Sequence, residues 1–99
     1  MTPVFLTDRG ERLLRHLVAE ETAHRTPSGA DIERALPFGK GNVLHVQTEV
    51  VRAGCAYWTF ILIGGRQHKR TRVTERGFAA VAGKVPIERK RNTMWRAVP

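Results

Sequence analysis

Apolar positions recur along this chain with two different periods. In residues 7–24, "TDRGERLLRHLVAEETAH", Leu13, Leu14, Leu17 and Val18 make one stripe at helical spacing, with Arg9, Arg12, Glu20 and Glu21 mostly away from it. Thr7 is placed to cap this helix, Asp8 and Glu11 suit its positive end, and Leu6 is placed to pack back as a staple. After "RTPSG", Ser28 and Asp31 have capping-box spacing and open a shorter helix with Ala30, Ile32, Ala35 and Leu36 as its apolar face. Pro37 ends that helix, because the ring pushes Leu36 out of helical geometry. "PFGKGN" then reads as a turn.

Residues 43–53, "VLHVQTEVVRA", fit both periods. As a helix, Val43, Val46 and Val50 share a face, Asn42 caps the start and Gly54 the end, and His45, Thr48, Glu49 and Arg52 point outward. As a strand, Leu44, Val46, Thr48 and Val50 alternate with His45, Gln47 and Glu49. The segments that follow favour the helix. "AYWTFILI" (56–63) and a return from about His68 to Val73 read as a β-hairpin closed by Gly64 and Gly65. Thr74 then caps a last short helix expected to bury Phe78, Val81 and Ala82 and to stop at Gly83. In the remainder, Ile87, Met94 and Trp95 are candidates to fold back, and Glu88 to Arg91 are expected to be solvated. The 99 residues make a single α+β domain, with a core over about 5–83 and a basic extension over 84–99.

Charge sharpens this picture. The net charge is +8, and its distribution is uneven. Residues 1–63 are neutral, whereas residues 64–99 carry ten Lys and Arg against Glu75 and Glu88. Such a segregated cationic third points to a polyanionic or acidic partner. Cys55 is the one cysteine; it excludes an intrachain disulfide, reads as a small core residue, and fits a cytoplasmic location. The first residues show no signal-peptide pattern and no apolar run spans a bilayer. His16, His24, His45 and His68 have no metal-ligand spacing, and no nucleophile, phosphate-loop or dinucleotide motif occurs. The expectation is a protein that binds rather than catalyses, with no metal or cofactor.

The element order, with Gly54 closing the third helix, "GGRQHKR" in the hairpin and "VTERG" at its exit, resembles a winged helix-turn-helix domain of the MarR/PadR type. The resemblance covers residues 7–82 and implies a double-stranded DNA-binding transcriptional regulator, prokaryotic or phage-type, often paired on two half-sites. Candidate recognition-helix residues are Lys40, Asn42, His45, Thr48 and Arg52. Candidate wing residues are Arg66, Gln67, His68, Lys69, Arg70 and Arg72, and Lys90 and Arg91 of the tail extend the footprint. Two alternatives stay open. One is a basic module that docks on an acidic protein, such as a phage-type modulator of a host protein. The other is an RNA-binding domain, favoured if residues 43–52 form a strand and Trp58 or Tyr57 is exposed.

Overall fold

The computed structural model describes residues 2–39 and 41–90. The chain runs through β1 (Val4–Leu6), α1 (Asp8–Thr22), α2 (Gly29–Ala35), α3 (Val43–Arg52), β2 (Ala56–Ile63), β3 (Arg66–Val73), α4 (Glu75–Val81) and β4 (Ile87–Arg89). It is a small α+β domain in which four helices support an antiparallel β2–β3 hairpin, while β1 and β4 form a separate parallel pair. The base of the hairpin is buried at Ala56 and Val73, and its distal end from Leu62 to Gln67 is exposed.

The caps form where the sequence places them. Thr7 accepts from the Gly10 N–H and Thr74 from the Gly77 N–H. Ser28 and Asp31 close a capping box with two bonds of 3.0 Å. The α1 stripe of Leu13, Leu14 and Leu17 is buried with Leu6 and Ile32.

The 43–53 segment is helical over Val43–Arg52, and packing shows why. Val43, Val46 and Val50 are buried, while Leu44, which a strand would place on the same side as Val46, is 59% exposed. Gln47 joins the buried side and donates from Nε2 to the Thr71 hydroxyl at 3.4 Å, tying α3 to β3.

Several expectations are corrected. Asn42 does not cap α3; its Nδ2 instead donates to the Phe38 carbonyl at 2.7 Å and holds the preceding turn. That turn also buries Phe38, so part of "PFGKGN" is core. On α4 the buried residues are Gly77 and Ala80, whereas Phe78 is exposed. The helix approaches the Cys55 backbone so closely that only its small face fits there. The hairpin return begins at Arg66 rather than His68, because Gly64 and Gly65 alone make the turn, with φ of 57° and 81°. Buried Val4 and Val85, with the β1–β4 pair, carry the core past both expected boundaries.

Glu49 is the largest departure. Expected to face outward, it turns back toward α1, where the Thr7 N–H donates to Oε2 at 2.7 Å and the Thr7 hydroxyl to Oε1 at 2.7 Å. The α1 N-terminus favours a carboxylate there, and the bonds are charge-assisted. Glu49→Ala is therefore expected to cost about 2 kcal/mol, the usual range for hydrogen bonds to a charged group. Chemical denaturation would show a lower midpoint with an unchanged slope.

Candidate nucleic-acid interface

The hairpin register pairs Tyr57 with Arg72, Thr59 with Arg70, Ile61 with His68 and Ile63 with Arg66. Directly opposed residues share a face, so Arg66, His68, Arg70 and Arg72 form one row on β3. At about 3.4 Å per residue this row is about 20 Å long. Lys69 and Gln67 lie on the other face, where the Lys69 ammonium sits 4.1 Å from the centroid of the Trp58 ring.

The cations of the row differ in their surroundings. Arg72, at the hairpin base, donates from Nε to Glu21 Oε1 at 3.1 Å, and the same oxygen accepts from the Val73 N–H at 3.2 Å. Arg72 thus anchors β3 to the end of α1. Arg66, Lys69 and Arg70 make no ion pair among the described residues. Arg70 donates from Nη1 to the Lys69 carbonyl, and its Nε is buried without a hydrogen-bond partner. Nη2 keeps donor capacity for a ligand.

On α3, His45 and Arg52 are exposed. The Thr48 hydroxyl donates to the Leu44 carbonyl at 2.8 Å, which occupies its proton within the helix. The Thr7 bonds occupy the carboxylate of Glu49, the one acid that the sequence placed on this surface, while Glu49 still lines the groove beside α3. Arg52 and Lys90 line one open groove with Phe5, Glu49 and Arg89, so the structure brings the end of α3 and the start of the tail to the same groove. Arg89, another cation of the basic C-terminal third, is held by Glu11 at 3.1 Å. Lys40 and Arg91, together with Met94 and Trp95, lie outside the described residues.

Most acids are committed to structural partners. The Arg15 guanidinium, with Arg89 adding to it, holds the Glu11 carboxyl below its usual range. Arg25 does the same for Glu20, and the Ser28 N–H and hydroxyl, with the charges of Arg34 and Arg70, do so for Asp31. Carboxyls lowered in the folded state stabilise it above their unfolded pKa, and that contribution is lost as pH falls through the folded values. The melting temperature should hold between pH 7 and 5 and fall below about pH 4, where ordinary carboxyls titrate. Circular dichroism melts across that range would check it. Burial pushes the Cys55 thiol up, so it stays protonated and inert at neutral pH.

Among the described residues, no cluster of three His, Cys, Asp or Glu side chains could hold a metal ion, and no helix is long and apolar enough to cross a membrane. Compared with known proteins, the chain matches no family model, no curated protein and no solved structure.

Proposed function

We propose that this protein is a winged helix-turn-helix DNA-binding protein that acts as a transcriptional regulator, prokaryotic or phage-type, in the cytoplasm. In this reading α3 is the recognition helix and the β2–β3 hairpin is the wing. The observation that carries it is the set of Arg66, Lys69 and Arg70 on the hairpin, which make no ion pair among the described residues, whereas Arg72 is anchored to Glu21. Cations without an ion-pair partner on an exposed ribbon gain most from phosphate, because each contact releases condensed counterions. The exposed side of α3 supports the same reading. Arg52 has the bidentate donors that suit guanine, His45 offers a second polar group, and Lys90, which lines the same groove as Arg52, is available to the backbone.

The test is binding to duplex DNA, read by fluorescence anisotropy across a salt series. Three wing contacts give a log–log slope of roughly −2.7, and contacts from Arg52 and Lys90 make it steeper. Absence of binding at low salt, or affinity indifferent to salt, would overturn the reading. Phosphate contact gives no role to Phe60 and Leu62, which are 61% and 71% exposed on the neighbouring strand.

A further inference from the structure

The two strands of the hairpin have opposite characters. β2 carries eight residues without a charge, and Tyr57, Phe60, Leu62 and Ile63 on it are exposed. β3 carries Arg66, Lys69, Arg70 and Arg72. The edges differ as well. The Cys55 carbonyl accepts from the Thr74 N–H, which sets the alternation of bonded pairs up the ladder. With the observed register, Tyr57, Thr59, Ile61 and Ile63 turn their backbone groups toward β3. The N–H and C=O groups of Trp58, Phe60 and Leu62 therefore point to the outer edge of β2. Among the described residues nothing bonds to these six groups. The outer edge of β3 is engaged at two points, since Glu21 takes the Val73 N–H and Arg70 the Lys69 carbonyl.

We infer that β2 pairs antiparallel with β2 of a second copy of this chain, about a two-fold axis at Phe60, to make a four-stranded sheet. Only residues with outward backbone groups can exchange hydrogen bonds. The axis sets Phe60 opposite Phe60 of the partner subunit and Trp58 opposite Leu62 of the partner subunit, so every outward group is paired and apolar side chains meet on both faces.

Charge selects this pairing over the others. In the β2–β2 arrangement the two β3 strands lie three strand spacings apart, about 14 Å. That exceeds the screening length of about 8 Å at physiological salt. A β3–β3 pairing would bring the two cationic rows together at a single strand spacing. A β2–β3 pairing is heterologous and leaves a free β2 edge at one end, so it propagates instead of closing. The closed dimer carries its cationic strands on the outside.

Sedimentation equilibrium on the nuclease-treated full chain in high salt, without DNA, measures the mass independently of the DNA reading. Amide hydrogen exchange reports the edge. The expected result is twice the chain mass, with the amides of Trp58, Phe60 and Leu62 slowed by roughly tenfold or more and slowing further with concentration. Phe60→Lys and Leu62→Lys should give monomers that free those three amides while Thr59 and Ile61 stay protected. Both side chains are mostly exposed, so folding should survive, and the exchange pattern of the unaltered chain decides the matter if it does not. A monomer at all concentrations overturns the inference. So does a dimer in which those three amides exchange freely.

Discussion

Gly77→Ala should lower the melting temperature by roughly 12–24 °C. A Cβ at this position would lie 2.2 Å from the Cys55 carbonyl oxygen, 2.7 Å from Val73 Cγ1 and 3.1 Å from the Cys55 carbonyl carbon. Two of those atoms are backbone at the junction between α3 and β2, and the third belongs to a buried residue, so none can move aside cheaply. Overpacking of this kind costs about 3 kcal/mol at the upper end of its usual range. For a domain near 100 residues each kcal/mol shifts the midpoint by about 4–8 °C. The first residue of α2, Gly29, is the control, since nothing lies within 4 Å of a Cβ added there. Gly29→Ala should leave the midpoint unchanged or raise it by a small amount through reduced unfolded-state entropy. Thermal melts of the two variants, followed by circular dichroism, make the comparison. Equal, small shifts would mean that α4 does not sit this close to Cys55.

The triple variant Arg66→Ala, Lys69→Ala, Arg70→Ala should lose most of its affinity for duplex DNA and most of its salt dependence. Three phosphate contacts contribute roughly 2.7 to the slope, equivalent to a fall of about 40-fold in affinity when salt rises fourfold. The variant should be nearly flat over the same range, apart from what Arg52 and Lys90 retain. Arg72→Ala acts differently. Its guanidinium binds Glu21, so its loss should loosen the base of the hairpin and lower stability more than it flattens the salt slope. Anisotropy titrations at two salt concentrations, with a melt of each variant, separate the two effects. If the triple variant binds as tightly as the unaltered chain, the hairpin is not the DNA-contacting element.

Much of the fold was legible because it depends on neighbours in sequence. Thr7, Ser28 and Thr74 sit one residue before a helix and find their N–H groups within three residues. Gly64 and Gly65 supply the positive φ of a two-residue turn and thereby fix the β2–β3 register. The cationic row was visible as a count of Arg and Lys. The candidate site was less legible. Periodicity placed Glu49 outward, yet Thr7, 42 positions away, takes its carboxylate. The capping role of Asn42 was also misread, since the Phe38 carbonyl competes for its donor, and the Leu44 carbonyl takes the Thr48 hydroxyl proton.

Segments whose preferences were balanced or absent took their structure from distant partners. The valines of residues 43–52 fit a helix and a strand almost equally, and burial against α1 and Phe38 selected the helix. Neither Val4–Leu6 nor Ile87–Arg89 has periodicity long enough to announce a strand. They pair because the fold brings the two segments side by side, with the Lys90 N–H donating to the Leu6 carbonyl. Local chemistry therefore settled the caps, the turn and the separation of charge. The identity of α3, the β1–β4 pair, the inward carboxylate of Glu49 and the glycine face of α4 came from contacts between remote segments, whose energies no short window of residues contains.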